Sequence, residues 1–134
     1  MDGTEGSTTN KTVHVLIVDD QLPFRAVART VIGLTAGFDV TAEAASGEEA
    51  IASVDAAPPD LVLMDINMPG MNGIEASCRI KELHPQVEIV LLSTYSEADL
   101  PADARECGAI AYVHKEDFGP DLIRQLWDGR SSNA

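Results

Sequence analysis

The sequence is poor in aromatic and in basic residues, and these two shortages limit what kind of protein it can be. Aromatic residues make up 4% of the 134 residues, whereas hydrophobic residues make up 45%, so the core has to be aliphatic. An aliphatic core is typical of a parallel sheet that helices cover on both faces. Only 9 lysines and arginines stand against 22 aspartates and glutamates, which gives a net charge of −13. Because nucleic-acid binding relies on basic side chains that displace counterions, this charge argues against direct binding to nucleic acid.

Metal-binding cysteine spacing, an export signal and a membrane span are also missing. The two cysteines, Cys78 and Cys107, fall in predicted helices without a CxxC spacing, and we interpret them as small core residues. Residues 1–12 are polar and acidic, and they lack the basic start and apolar centre of an export signal. No apolar run approaches the roughly 20 residues that a bilayer crossing needs. We therefore expect a cytoplasmic protein without a membrane partner.

Five short apolar runs alternate with five segments of helical periodicity. The runs predict strands at 13–18, 38–44, 61–64, 87–92 and 109–114. Because right-handed crossovers place helices on both faces of a parallel sheet, this alternation predicts a doubly wound α/β three-layer sandwich. We expect one domain over residues 13–128, between a disordered polar N-terminal tail, 1–12, and a C-terminal tail, 129–134.

Two of the predicted helices carry features that the structure can test. The first has an apolar stripe at the spacing of a buried face: Phe24, Val27, Ala28, Val31 and Ile32. The fourth has only a short stripe of Leu100, Ala104 and Cys107, and Pro101 would remove a backbone hydrogen bond if this helix began at Ser96. The conformation of this fourth helix is therefore left open.

Charged and polar side chains follow the predicted strands where each strand ends. They are Asp19 and Asp20 after the first strand, Asp65 after the third, Ser93 after the fourth and Lys115 after the fifth. Parallel strands end at one rim of the sheet, where open α/β folds place their ligand sites, so these residues should converge. Packed carboxylates repel one another, and an all-oxygen acidic pocket selects a hard cation such as Mg²⁺.

The same residues have the chemistry that phosphoryl transfer needs. With Mg²⁺ and Lys115 opposing the three carboxylates, the pocket comes to about neutral charge and can admit a phosphoryl group. Aspartate is a known phosphoryl acceptor, and Asp65 directly ends an all-apolar strand. An ammonium and a hydroxyl can each donate hydrogen bonds to phosphate oxygens.

With these residues in this order, the chain resembles the response-regulator receiver domain of bacterial two-component systems, from Val13 to about Trp127. The likeness is carried by DD after the first strand, MDINMPGMNG after the third, LLST after the fourth and YVHK at the fifth. It implies a flavodoxin-like (βα)5 fold with sheet order 2-1-3-4-5. It also implies a signalling phosphoacceptor rather than an enzyme, with two partners: a histidine kinase or phosphotransfer protein, and a downstream protein target.

The resemblance also assigns roles to individual residues. Asp65 would accept the phosphoryl group, and Lys115 would pair with it. Asp20, Asp65 and the backbone carbonyl of Asn67 would bind Mg²⁺, while Asp19 would hold the waters of the metal. On phosphorylation Ser93 would move toward the phosphoryl oxygens and Tyr112 would turn inward. The face formed by the fourth and fifth predicted helices and the fifth strand would then change for partner binding.

Two departures from the common family pattern affect these expectations. Glu116 follows Lys115 where many members have proline, which brings the chain closer to the receivers that usually carry a helix-turn-helix output domain. After Trp127 the sequence ends in DGRSSNA, so we expect a stand-alone receiver unless the 134 residues are an excised domain. A homodimer is left open, since the sequence does not choose among the family's dimer faces.

Each of these residues also has a simpler structural interpretation. Asp19 and Asp20 could cap the first helix, Ser93 could be an ordinary turn residue, and Tyr112 could be a packed strand aromatic. Two other functions also remain: a pseudo-receiver used for docking, and an aspartyl-phosphate phosphatase of the haloacid-dehalogenase type. The phosphatase would need Asp-x-Asp, but Gln21 follows two positions after Asp19, and Asn67 two positions after Asp65.

Overall fold

The computed structural model describes residues 12–94 and 107–130, where a five-stranded parallel sheet lies between helices on both faces. The strands are β1 (Val13–Val18), β2 (Phe38–Ala44), β3 (Leu61–Asp65), β4 (Glu88–Ser93) and β5 (Ala111–His114). The helices are α1 (Leu22–Gly33), α2 (Gly47–Ala56), α3 (Gly73–Leu83) and α4 (Pro120–Arg130), with a 3-10 turn at Lys115–Asp117. The sheet order, β2-β1-β3-β4-β5, confirms the predicted doubly wound flavodoxin-like architecture.

Some predicted features lie outside the described residues. These are most of the fourth predicted helix, including Pro101, and residues 1–11 and 131–134 of the two predicted tails. The fifth predicted helix is α4. None of the helices in the described ranges has the length and apolar character that a membrane crossing needs.

The core consists of two aliphatic layers, one on each face of the sheet. Alternate residues of β1 serve opposite layers: Leu16 and Val18 pack toward α2 and α3, whereas Val15 and Ile17 pack toward α1 and α4. Strands covered on both faces need apolar residues at every position, because successive side chains point to opposite sides. This explains why the strand sequences are continuously apolar rather than alternating.

Side-chain caps set the starts of α2 and α3. Ser46 Oγ accepts a hydrogen bond from the Glu49 amide at 3.1 Å, and the Glu49 carboxylate accepts one from the Ala45 amide at 2.9 Å. Asn72 Oδ1 likewise accepts a hydrogen bond from the Glu75 amide at 2.9 Å. Such caps satisfy amides that the first turn of a helix leaves unpaired, and they are worth about 1 kcal/mol each.

Some local expectations are wrong or need adjustment. Val27 is 51% exposed, although its spacing had placed it on the buried face of α1. Consecutive helix residues differ by about 100°, so Val27 points roughly a quarter turn away from the buried Ala28. β5 begins at Ala111, two residues later than predicted.

The two cysteines lie in the core layer of α2 and α3, as predicted, but nothing in the sequence indicated that they are bonded to each other. Cys78 lies in α3, Cys107 lies just before β5, and their sulfur atoms are joined in a disulfide with a Cα–Cα distance of 4.7 Å. They are 29 positions apart in the sequence, and no local pattern predicts this pairing. Packing of α3 beside the chain that enters β5 brings the two residues together.

Candidate functional site

The ends of β1, β3 and β5 bring three charged side chains into contact at one rim of the sheet. Lys115 Nζ, just after β5, donates a hydrogen bond to Asp19 Oδ2, just after β1, at 2.7 Å. The same Nζ lies 3.3 Å from Asp65 Oδ1 at the end of β3. Asp20 completes the group, because carboxylate oxygens of Asp19, Asp20 and Asp65 lie within 4.8 Å of one another. The rim therefore holds three carboxylates and one ammonium.

Burial makes this cluster of charges unusual. Asp19 is fully buried, Asp65 is 3% exposed, and Asp20 is half-buried. Burial, with the charge of Asp19 as the second cause, raises the pKa of Asp65 from 3.8 to about 6. The charge and hydrogen bond of Lys115 and the hydrogen bond from the Asn67 backbone amide lower this pKa, but they do not cancel the rise. The site therefore carries more negative charge than its own cation neutralises.

This donor set fits a hard divalent cation. Carboxylate oxygens are the ligands that Mg²⁺ prefers, and a bound divalent charge would relieve the repulsion between Asp19 and Asp65. The close grouping of one oxygen from each of three acids supports the same reading. The residues present thus match the predicted Mg²⁺ site in chemistry.

Ser93 and Asn67 lie beside this group. Ser93 is the last residue of β4, is buried, and pairs with His114, the residue before Lys115. Asn67 is exposed two residues after Asp65, and its amide donates a hydrogen bond to Asp65. Both predicted positions therefore border the acidic cluster.

Tyr112 lies further from the rim than the other candidates. It pairs with Leu91 in the middle of the β4–β5 ladder, and its half-buried side chain packs against the core layer of α2 and α3. The reading of Tyr112 as a packed strand aromatic describes its present position. A role in switching stays a prediction.

The capping alternative for Asp19 also agrees with part of the geometry. Asp19 Oδ1 accepts a hydrogen bond from the amide of Gln21, the residue that precedes α1, at 2.8 Å. Its other carboxylate oxygen accepts from Lys115. One side chain therefore helps to start the helix and also belongs to the charged cluster.

Two residues that the sequence did not single out support the site. The Phe24 ring lies 4.4 Å from Lys115 Nζ, so the ammonium is held over an aromatic face. Arg25 donates a hydrogen bond to the Asp19 carbonyl at 2.7 Å, and it pairs with Glu43 of β2 at 3.1 Å. Phe24 had been predicted only as a core residue, and Arg25 carried no sequence signal.

The raised pKa of Asp65 leads to a testable pH dependence. The folded-state pKa, about 6, lies above the ordinary value of 3.8, so the folded protein binds the Asp65 proton more tightly than the unfolded chain does. Stability should therefore rise as pH falls through about 6, and most of the gain, up to roughly 2 to 3 kcal/mol, should be present near pH 4. Urea unfolding from about pH 8 to about pH 4, with a chelator present, measures this gain.

The Asp65→Asn variant is the control for that measurement. Its free energy of unfolding should lack this part of the pH dependence, and it should exceed that of the wild type near pH 8. The assignment to Asp65 is wrong if the two proteins show the same pH profile.

Comparison with known proteins assigns most of the chain to one group. Residues 15–127 match the Response regulator receiver domain family. The response regulator UvrY of Escherichia coli O6:H1 is 38% identical over 121 residues, which are 88% of this chain and 56% of that protein. The chain spans about half the length of the curated relatives it matches.

Solved structures give the same result. The receiver domain of NarL from Mycobacterium tuberculosis superposes with a TM-score of 0.80 at 25% identity, covering 88% of this chain and 95% of that one. CheY in the CheX–CheY–BeF3–Mg complex from Borrelia burgdorferi superposes with a TM-score of 0.74 at 30% identity, covering 89% of each chain. The family match over residues 15–127 includes Asp19, Asp20, Asp65 and Lys115 of the charged rim.

Proposed function

Because the chain belongs to the response regulator receiver domain family of two-component signalling, we propose that it accepts a phosphoryl group on Asp65. The donor would be the phosphohistidine of a histidine kinase or of a phosphotransfer protein. The observation that carries this proposal is the buried Asp65 carboxylate, whose Oδ1 lies 3.3 Å from Lys115 Nζ beside two further acids. The candidate nucleophile Asp65 therefore lies beside Lys115, which could pair with the phosphoryl product, and beside a candidate metal site.

In the proposed reaction, a carboxylate oxygen of Asp65 attacks the phosphorus atom of the donor. The P–N bond breaks, and its electron pair returns to the imidazole of the leaving histidine. Asp65 has to be ionised to attack, and its pKa of about 6 leaves the carboxylate mostly charged at neutral pH. Lys115 Nζ then hydrogen-bonds a phosphoryl oxygen, and Phe24 and Asp19 keep the ammonium in place for this contact.

The acids beside Asp65 prepare the site for a dianionic group. Asp20, Asp65 and the backbone carbonyl of Asn67 would hold Mg²⁺, and Asp19 would orient its waters. When bound, Mg²⁺ neutralises the excess negative charge and attracts phosphoryl oxygens. The related CheY from Borrelia burgdorferi was crystallised with BeF3 and Mg, and we propose an equivalent pairing of cation and anion here.

The proposed output begins at Ser93 and Tyr112. Ser93 is the last residue of β4, the strand that pairs with β3 beside Asp65, and its hydroxyl would move toward a new phosphoryl oxygen. Ser93 and Tyr112 lie on adjacent paired strands, which links the site to the surface around β5. We propose that a downstream protein binds this surface. We do not expect this acidic domain to contact nucleic acid. Whether it forms a homodimer is a separate question that the surface does not decide.

Two alternatives are less well supported. A docking-only pseudo-receiver would not need the complete set of acids with Lys115 that the rim contains. A phosphatase of the haloacid-dehalogenase type disagrees with the family match over residues 15–127. We therefore propose a signalling phosphoacceptor whose own chemistry is limited to accepting and losing one phosphoryl group.

Metal dependence tests the proposal directly. We expect incubation with acetyl phosphate and Mg²⁺ to add the mass of one phosphoryl group to the intact protein, and excess chelator to prevent the addition. The Asp20→Asn variant should need at least about tenfold more Mg²⁺, because it loses one metal ligand. The Asp39→Asn variant changes an exposed acid of the edge strand β2 and should behave like the wild type. Phosphorylation that is unaffected by the chelator would contradict the proposed role of the acids.

A further inference from the structure

The Cys78–Cys107 disulfide joins two parts of the fold that both lead to the charged rim. The Cα–Cα distance of 4.7 Å lies in the usual range for disulfides. Cys107 is 6% exposed, whereas Cys78 is half-buried, and both pack in the core layer of α2 and α3. Cys78 is therefore the more exposed residue of the pair and the more accessible one for a small reagent.

The disulfide anchors the segment that leads into the edge strand β5. β5 has four residues and pairs only with β4 within the described part of the sheet. Before β5, the Ile110 amide donates a hydrogen bond to the Ile89 carbonyl at 2.8 Å, and Gly108 lies against the Lys81 side chain of α3. A short edge strand with one neighbour opens more easily than a central strand does. A covalent link from its entry to α3 should oppose that opening.

Both joined elements reach Asp65 at their other ends. β5 leads directly into Lys115, whose Nζ lies 3.3 Å from Asp65 Oδ1. α3 begins at Gly73, whose amide donates a hydrogen bond to the carbonyl of Ile66, the residue after Asp65, at 2.9 Å. A change in how tightly β5 is held against α3 should therefore change how constantly Lys115 faces Asp65.

We propose that Cys78 and Cys107 form a thiol–disulfide modification site that controls the order of β5 and, through Lys115, phosphoryl acceptance at Asp65. The second half of this inference rests on the proposed function, whereas the first half does not. The co-reactant is a small disulfide of the oxidised-glutathione class. Disulfides that form in reducing compartments are usually transient and either catalytic or redox-sensing, and we propose a redox-sensing use for this pair.

The reaction transfers two electrons from the protein to the small disulfide. The Cys78 thiolate attacks one sulfur of that disulfide, which releases one small thiol and leaves a mixed disulfide on Cys78. The Cys107 thiolate then attacks the Cys78 sulfur, which closes the internal disulfide and releases the second small thiol. The two protein thiols lose one proton each, and the two small thiols gain them. The reverse exchange with a small dithiol reduces the pair.

The thiol state is tested on the full chain in oxidised and reduced glutathione, followed by denaturation, alkylation and intact mass. We expect two alkyl groups after reduced glutathione and none after oxidised glutathione. The Cys78→Ala variant should take up one alkyl group after reduced glutathione. It should form no internal disulfide in either buffer. Two alkyl groups on the wild type after oxidised glutathione, or a mixed disulfide that persists, would overturn the site.

Hydrogen exchange tests the effect on β5 independently of phosphorylation. Amides of the peptide that covers β5 should exchange at least about tenfold faster in the reduced protein, while those of the central strand β1 stay unchanged. Cys78→Ala, which keeps a small apolar side chain in α3, should match the reduced wild type in both buffers. Equal β5 exchange in the two redox states would overturn the proposed control of strand order.

Phosphorylation by acetyl phosphate in the same two states tests the second half. We expect the reduced protein to be phosphorylated several-fold more slowly than the oxidised protein. Equal rates with different β5 exchange would overturn the link to Asp65. If neither state is phosphorylated although β5 exchange depends on redox state, the modification site stands and the proposed function fails.

Discussion

Replacing Asp65 with asparagine is expected to reduce phosphoryl acceptance to below about 1% of the wild-type level, because the variant lacks the attacking carboxylate. Asparagine has nearly the same shape, so the side chain keeps its place at the end of β3. The variant also removes a buried negative charge whose pKa is raised to about 6, and it should therefore be more stable than the wild type near pH 8. The loss of function should thus occur in a protein that is fully folded.

Intact mass after incubation with acetyl phosphate and Mg²⁺ measures the effect. Asp117→Asn is a suitable control, since it removes an exposed acid two residues from Lys115 and should leave the added mass unchanged. If Asp65→Asn still gains one phosphoryl group, then another side chain is the acceptor, and Asp65 has only an electrostatic role. Peptide mapping of the phosphorylated protein would identify that side chain.

Replacing Gly73 with alanine is expected to destabilise the fold by about 3 kcal/mol or more. A Cβ atom at this position would lie 2.8 Å from the carbonyl carbon of Asp65 and closer still to its oxygen. It would also lie 2.9 Å from Cγ of Met64. Backbone atoms at the end of a central strand cannot move aside as a flexible side chain can, so either α3 or the Asp65 loop must shift.

Gly33→Ala provides the matched control for this substitution. A Cβ atom on Gly33, the last residue of α1, would meet nothing within 4 Å. This variant should be as stable as the wild type or more stable by about 0.5 to 1 kcal/mol, because alanine restricts the unfolded chain. The urea unfolding midpoints of the two variants test whether the Cβ clash at Gly73 destabilises the fold. Similar midpoints would show that the structure relieves this clash easily. The Gly73→Ala protein that does fold should also accept phosphate more slowly, since Asp65 is displaced.

The sequence was sufficient to predict the sheet and the acidic rim, for identifiable reasons. Continuous apolar runs followed by turn residues are typical of strands buried on both faces, and parallel strands must end at a common rim. Asp19, Asp65 and Lys115 could therefore be placed together although 96 residues separate the first from the last. The caps at Ser46 and Asn72 were equally accessible, because each depends on residues three positions apart.

Other features of the site depend on packing between distant segments. The 2.7 Å contact of Lys115 with Asp19, shorter than its 3.3 Å contact with Asp65, could not be read from strand ends. Phe24 was identified as a core residue, but its position beneath Lys115 follows from how α1 packs against the turn after β5. The exposure of Val27 likewise depends on the rotation of α1 relative to the sheet.

The sequence by itself determined the order of the elements, the two-sided core and the residue types at the rim, because each of these follows from local pattern and from the rules of parallel sheets. Only the tertiary structure decided which of these residues touch, how far burial raises the pKa of Asp65, and that Cys78 meets Cys107. The short distances between these side chains and the exclusion of water from the site arise when the helices pack on the sheet. No local segment of the sequence determines them. The charged rim thus follows from sequence, whereas its electrostatic state and the link between α3 and β5 are products of packing.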